Sequence, residues 1–229
     1  MSTEQKEAAG SGYTLEERSL AYQMRQSLLK IAQSAQMGDT ECVDATATTA
    51  MQLIDCYLLG SQSPDQLALH LEAVSLGAIM QDVLHQLTPL AKQHECQLHF
   101  MQKGTPGLVT TDARLTKSAF IALGQTFIES TTQAGANTDV VFGVRSKKAE
   151  ELAGVFSPQT SLRAKSLQQL RRIAGKAAQP CDSISGSSAG IVLADVLLSR
   201  MSSQLRAHRF MQTSGIAANF SPSQQLQLV

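Results

Sequence analysis

The sequence lacks the cysteine and histidine spacing that marks a metal site or a disulfide framework. Its four cysteines are far apart and form no CxxC pair: Cys42, Cys56, Cys96 and Cys181. Its five histidines show no metal-ligand spacing on one helix face: His70, His85, His94, His99 and His208. Scattered cysteines of this kind are typical of buried free thiols. We therefore expect no metal and no other cofactor.

Long hydrophobic runs are also missing. A membrane-spanning helix needs about 18 or more consecutive apolar residues, and no run in this sequence approaches that length. The first residues, "MSTEQKEAAGSG", are polar and contain no apolar stretch of the signal-peptide kind. With 43% hydrophobic and 17% charged residues, the composition is globular. We expect a cytoplasmic protein that does not enter a membrane.

The net charge is zero, but the two signs are separated along the chain. Residues 1–100 hold 5 Lys and Arg against 12 Asp and Glu, whereas residues 101–229 hold 14 against 7. A basic patch without any acid lies between Glu151 and Asp182: Arg163, Lys165, Arg171, Arg172 and Lys176. Such a run is either a solvated helix face or a surface for an acidic partner. No aromatic residue interleaves it, so nucleic acid is the weaker partner.

The N-terminal part of the sequence predicts a helical hairpin. After a polar tail at residues 1–13, Thr14 and Glu17 form a capping box that starts a helix running to about residue 36. A second helix is expected over residues 40–59, after the turn "MGDTE". The first helix carries one apolar stripe: Leu20, Met24, Leu28, Ile31 and Ala35. A lone hairpin has too little core, so dimerisation into a four-helix bundle would supply the missing surface.

A mixed pattern follows the breaker "GSQSP", which separates the hairpin at residues 14–62 from a second domain at residues 63–229. Short extended segments near residues 68–74, 96–103 and 108–110 alternate with helical ones, and a β-hairpin is expected around "KKAE". Then come a helix over 161–178, the buried helix "AGIVLADVLLSRM" and two or three closing strands. The fold class is α+β, a helical hairpin followed by an α/β sandwich.

Three stretches in this order carry a family resemblance. They are "DQLALHLEAVSLGAIMQDVLHQLTPLAKQHECQLHF", "TTDARLTKSAFIALGQTFIES" and "GSSAGIVLADVLLSRM". Together they resemble the cytoplasmic core of bacterial sensor histidine kinases, which joins a dimerising helical hairpin to an ATP-binding domain of the Bergerat type. The length also resembles that of histidine phosphotransferases built from a decayed kinase fold. The resemblance implies a homodimer and a receiver-domain partner.

The family's phosphoacceptor histidine is absent. Where the family motif places it, this chain has "YQMRQS", so Tyr22 stands in the histidine's position, Arg25 is kept and Ser27 replaces a proline. Tyr22 also lies on the face opposite the apolar stripe. A phenol with a pKa near about 10 is a poor nucleophile without an activating base. We therefore expect no phosphohistidine chemistry there and no catalytic residue.

The resemblance also implies a degenerate nucleotide pocket. Two asparagines that hold magnesium and phosphates in the family align with Ile121 and Gln125, and isoleucine offers no oxygen ligand. The first glycine box would fall at "SPQTSL", Ser157 to Leu162, which includes no aspartate or glycine. In the second box only Gly186 and Gly190 remain. We expect no ATP binding, and a pocket filled by side chains would leave Ile121 and Phe127 buried.

These observations leave three functional hypotheses. The first is a catalytically inactive, dimeric scaffold or regulator in two-component signalling. It would bind a receiver domain or another kinase through an α-helical patch of Tyr22, Arg25, Gln26 and Leu29, unless that patch is an ordinary exposed face. The second is a phosphotransferase that relays phosphate between receiver domains through another residue, such as a histidine. The third is a nucleic-acid-binding regulator that uses the basic patch.

Overall fold

The computed structural model describes residues 15–62, 68–131, 138–147, 150–158 and 189–223. The predicted helix over 161–178, the whole basic patch, Cys181 and Gly186 lie outside the described residues. Within the described ranges, none of the helices combines the length and the hydropathy needed to cross a lipid bilayer.

The chain opens with the expected helical hairpin. Helix α1 (Leu15–Met37) and helix α2 (Thr40–Ser61) are joined by a two-residue turn. Gly38 has a φ of +73°, a conformation that glycine adopts at little cost, and this lets the chain reverse. The Asp39 carboxylate then accepts a hydrogen bond from the Cys42 N–H at 3.0 Å and caps α2. Both helices begin and end within two residues of the predicted positions.

The rest of the described chain forms an α/β sandwich. Its elements are β1 (Glu72–Ser75), α3 (Leu76–Gln93), β2 (Cys96–Lys103), β3 (Leu108–Thr111), α4 (Ala113–Thr131), β4 (Thr138–Lys147), β5 (Glu150–Phe156), α5 (Ala189–Ser199), β6 (Leu205–Phe210) and β7 (Thr213–Phe220). A five-stranded sheet has the order β2-β4-β5-β7-β6, and in it β2 and β4 are parallel while the other neighbours are antiparallel. Strands β1 and β3 form a separate antiparallel pair. The predicted α+β class is confirmed.

Strand alternation places the main core between the sheet and the helices. Val140, Phe142 and Val144 of β4 are fully buried in one hydrophobic cluster with residues of α3, α4 and α5. The opposite face of the sheet carries a smaller cluster in which the rings of Phe156 and Phe210 stack with centroids 5.1 Å apart. The first extended segment is shorter than predicted, because residues 68–71 form no strand and pairing with β3 begins only at Glu72.

The hairpin shares the core of the sandwich through α2. Leu53 and Cys56 of α2 are buried in the main cluster, and the Arg200 guanidinium donates a hydrogen bond to the Gly60 carbonyl oxygen. Burial of a leucine side chain stabilises the folded state by roughly 1.5–3 kcal/mol. The hairpin and the sandwich therefore form one packed body rather than two separately filled cores.

Helix α1 turns only part of its predicted apolar stripe toward this core. Gln23 and Ser34 are its buried residues, whereas Leu28 of the stripe is 60% exposed and Ala35 is also exposed. Leu20 does pack partly against the main core. The stripe is thus only partly covered by contacts within the chain, with Met24 and Ile31 half-buried. The periodicity identified an apolar face correctly but could not tell which neighbour covers it.

Candidate functional site

The α4 helix carries the two aligned nucleotide-pocket positions, and both are covered by the hairpin. Ile121 and Gln125 are buried. The Gln125 Nε2 donates a hydrogen bond to the Gln52 Oε1 of α2 at 2.8 Å. Two turns before Gln125 on α4, the Ser118 carbonyl oxygen accepts a hydrogen bond from the Cys56 Sγ of α2 at 3.3 Å. This face of α4, which the family resemblance assigns to nucleotide, is therefore in contact with α2.

The side chains behind that contact are apolar and fully packed. Leu53, Ile121 and Phe127 belong to the main hydrophobic cluster. The predicted burial of Ile121 and Phe127 is confirmed. Burial, followed by the nearby Asp55 charge, raises the pKa of the Cys56 thiol to about 12, so the thiol stays protonated at neutral pH and behaves as a small hydrophobic group. Charged phosphates have no favourable environment among these groups.

Gly190, the described glycine of the second box, serves a helix–helix contact. A Cβ atom placed on Gly190 would lie 2.2 Å from the Ala122 carbonyl oxygen and 2.3 Å from the Thr126 Oγ1, both on α4. The missing side chain is what allows α5 to pack this closely on α4. Ser157 of the first box is buried, and its N–H donates to the Ser214 carbonyl oxygen at 3.1 Å. Ile121 and Gln125 therefore lie on α4, and Gly190 lies on the neighbouring helix α5.

The start of α4 is tied to the chain that leaves the hairpin. The buried Asp112 carboxylate accepts hydrogen bonds from the N–H groups of His70, Arg114 and Leu115. Burial alone would raise the pKa of Asp112, but the Arg114 side chain and the backbone N–H donors outweigh it and hold this pKa below its ordinary value. An ionised Asp112 thus caps α4 and fixes the position of His70.

The predicted docking patch lies on an accessible part of α1. Arg25, Gln26 and Leu29 are exposed, and Leu29 and Arg25 lie one turn apart on the same side of the helix. Tyr22 belongs to α1 three residues before Arg25, but its side chain is outside the described part of the structure. Arginine and a neighbouring exposed leucine are suitable for contact with a partner protein.

Further large apolar side chains of the hairpin are exposed. Leu28 of α1 is 60% exposed, and Met51 and Leu58 of α2 are 58% and 54% exposed. Met51 and Leu58 are seven residues apart, two helical turns, so they lie on one side of α2. We call these three residues the hairpin outer face. Scattered exposed leucines are ordinary, but a set of this kind on one hairpin is typical of a protein-binding surface.

Comparisons with known proteins identify the class of fold. No protein-family model matches the sequence, and no curated protein matches it. Solved structures of histidine kinases do match it with probability 1.00. At about one residue in ten identical, this likeness concerns the fold: the chain has a histidine-kinase-like core.

Three particular structures illustrate the match. The nucleotide-free catalytic domain of histidine kinase ThkA is 10% identical, with a TM-score of 0.52 over 66% of this chain and 95% of that one. Histidine kinase ThkA in complex with response regulator protein TrrA is 11% identical, with a TM-score of 0.59 over 90% of this chain and 60% of that one. Full-length ShkA in complex with AMPPNP is 9% identical, with a TM-score of 0.54 over 90% and 46%.

The contact between α2 and α4 is the part of the site that the sequence did not predict. Gln52 forms it through the hydrogen bond to Gln125, and the sequence analysis did not single out Gln52. The only signal available was that α2 has apolar residues on more than one side. A polar Gln52 among them gives no indication that it meets Gln125, which is 73 residues away along the chain.

Proposed function

We propose that the chain is a catalytically inactive histidine-kinase-like protein that acts by binding other signalling proteins. The observation that carries the proposal is the burial of Gln125 against Gln52. Mg-ATP bound as in the family would need this face of α4, which α2 occupies. Tyr22 in the phosphoacceptor position supports the same conclusion, because a phenol does not replace an imidazole nucleophile.

We expect no binding of Mg-ATP or Mg-ADP up to millimolar nucleotide. Helix α2 packs on this face of α4, where Gln52 is hydrogen bonded to Gln125, and Ile121 provides no oxygen ligand for magnesium. Isothermal calorimetry should give no heat, and the melting temperature should not move. An active histidine kinase in the same buffer is the positive control. Micromolar binding, or labelled phosphate on the protein after incubation with ATP, would refute the inactive assignment.

The partner we propose is a receiver domain that docks on Tyr22, Arg25, Gln26 and Leu29. The structure of ThkA with a response regulator motivates this choice. The fold match to that kinase covers 90% of this chain and 60% of the kinase chain. Receiver domains present an acidic surface, and Arg25 offers a complementary exposed cation. The function would be to hold or sequester the receiver rather than to transfer phosphate to it.

Arg25→Glu combined with Leu29→Ala should weaken receiver binding by about tenfold or more, since interface hot spots are often worth about 2 kcal/mol. A panel of isolated receiver domains, measured by biolayer interferometry, provides the test. Gln33→Glu is the matched control, because Gln33 is exposed on the same helix beyond the proposed patch. If both variants lose the same affinity, the effect is one of charge alone and the patch is wrongly assigned.

We also propose that the chain is a homodimer that buries the hairpin outer face. Replacing Met51 with lysine should place a charge in the interface and shift the protein toward monomer, with an increase of at least about tenfold in the dimer dissociation constant. Sedimentation velocity over a range of concentrations measures this. Met211→Lys is the control, because Met211 is 57% exposed on the sandwich and Met51 is 58% exposed. A Met51 variant as dimeric as the parent would exclude this face.

A further inference from the structure

Helix α1 rests on the sandwich through a small polar cluster, which we call the α1 latch. It consists of Gln23 and Lys30 of α1, Glu129 of α4, Gln93 at the end of α3 and the next residue, His94. The Gln23 Nε2 donates to the Glu129 Oε2 at 3.0 Å. The Lys30 Nζ donates to the Gln93 Oε1 at 3.3 Å and lies 3.4 Å from the His94 Nε2. These contacts attach the inward face of α1 through polar groups.

One atom of this cluster has no hydrogen-bond partner. The Gln23 side chain is only 4% exposed, and its Oε1 is buried without a donor, although its Nε2 is bound to Glu129. Leaving a buried acceptor unpaired is unfavourable. An ionised carboxylate can only accept hydrogen bonds, whereas a carboxylic acid carries one O–H donor. The carboxyl group that already touches the Gln23 amide is the natural source of that donor.

We propose that Glu129 is protonated while α1 is docked, and that its O–H donates to the Gln23 Oε1, closing a two-bond acid–amide pair. Docking of α1 on α4 therefore takes up one proton. Ionisation of Glu129 removes the donor and leaves a half-buried carboxylate beneath α1, which loosens the helix. The latch makes the attachment of α1 sensitive to pH, whatever partner the outer side of α1 binds.

The surroundings of Glu129 favour the neutral form. Burial raises the pKa of Glu129 to about 7, and the Gln23 hydrogen bond and the Lys30 charge offset this only in part. Lys30, from α1, is the charged group that acts on Glu129. His94, from the end of α3, contacts Lys30, and burial together with the Lys30 charge lowers the His94 pKa to about 4. A neutral His94 accepts the Lys30 hydrogen bond on its Nε2, so its own proton is on Nδ1.

The two titrating groups change stability in opposite directions. The Glu129 pKa is above its ordinary 4.5 in the folded chain, so the folded state binds more protons and stability falls as pH rises from about 4.5 to about 7. The His94 pKa is below its ordinary 6.5, so stability rises with pH from about 4 to about 6.5. The effects oppose each other in the shared range. A flat profile of the parent protein would therefore hide both.

The substitution Glu129→Gln isolates the carboxyl group. Glutamine has the same shape, can form two hydrogen bonds with the Gln23 amide and does not ionise. The folding equilibrium constants of the variant and the parent are measured by urea unfolding of the full chain at each pH. The ratio of the variant's constant to the parent's should rise on the order of 100-fold from pH 4.5 to 8. The control Glu72→Gln removes one exposed carboxylate from β1. It shows how much the loss of a charge alone changes the folding equilibrium constant.

A measurement on the unsubstituted protein keeps the proposal testable even if the variant folds poorly. The Glu129 carboxyl carbon, observed by NMR with labelled glutamate and assigned through the variant or by backbone correlation, should titrate near pH 7. Titration near the ordinary value of 4.5 would overturn the proposal. A ratio of equilibrium constants for Glu129→Gln that does not change with pH would overturn it as well.

Discussion

Replacing Gly190 with alanine should lower the free energy of unfolding by about 3 kcal/mol, the upper part of the usual range for overpacking. The new Cβ would lie 2.2 Å from the Ala122 carbonyl oxygen, where ordinary contacts begin near 3.4 Å. This neighbour is helix backbone and cannot rotate away. Helices α4 and α5 must therefore move apart, and the packing between them loosens.

Gly60→Ala is the matched control for this experiment. Gly60 is also a buried helical glycine, but a Cβ there would lie 3.5 Å from the Val196 Cγ1, an ordinary van der Waals distance. Alanine should be neutral or stabilise the protein by up to about 1 kcal/mol, because glycine is a poor helix former. Urea unfolding of both variants gives the comparison. Equal stabilities for the two variants would show that α4 and α5 do not pack this closely in solution.

Replacing Leu53 with alanine should lower the free energy of unfolding by about 2–5 kcal/mol. Leu53 is 1% exposed and is one of the residues through which α2 enters the main core. Its removal leaves a cavity in the main core. The loss should be the same at every protein concentration, because the contacts lie within one chain.

Leu58→Ala is the matched control, since Leu58 is on the same helix but is 54% exposed. For the monomer this change should cost little. Urea unfolding at two protein concentrations, ten times apart, separates the inner and outer faces of α2. If Leu53→Ala were as mild as Leu58→Ala, α2 would not be part of the core in solution.

Much of the secondary structure could be predicted from local sequence signals. The capping box at Thr14 and Glu17 located the start of α1, and the "MGDTE" turn located the connection between α1 and α2. Both closing strands, β6 and β7, lie within the predicted C-terminal segment. These signals act over a few residues, because caps, turns and side-chain periodicity report on local backbone geometry.

The arrangement of the site could not be predicted in the same way. Gln52 and Gln125 meet only because α2 packs on α4, and no local pattern specifies that pairing. Gly190 resembled a phosphate-binding glycine in the sequence, but its described contact is with Ala122 of α4. The apolar stripe on α1 did not show which neighbour covers it, and Gln23, a polar residue outside the stripe, is buried against the sandwich. In each case the packing of one helix on another, and not the local sequence, determines what the residue contacts.

The hydrogen bond between Arg200 and Gly60 spans 140 residues of sequence and has a consequence for synthesis on the ribosome. At roughly 5–20 residues per second, about 7–28 s pass between the synthesis of Gly60 and that of Arg200. Helix α4 is made within this interval, but α2 still lacks α5 and Arg200, so its contacts with the core are incomplete. The nascent hairpin is therefore a candidate client for chaperones that protect exposed apolar helices, and folding to completion is a late event.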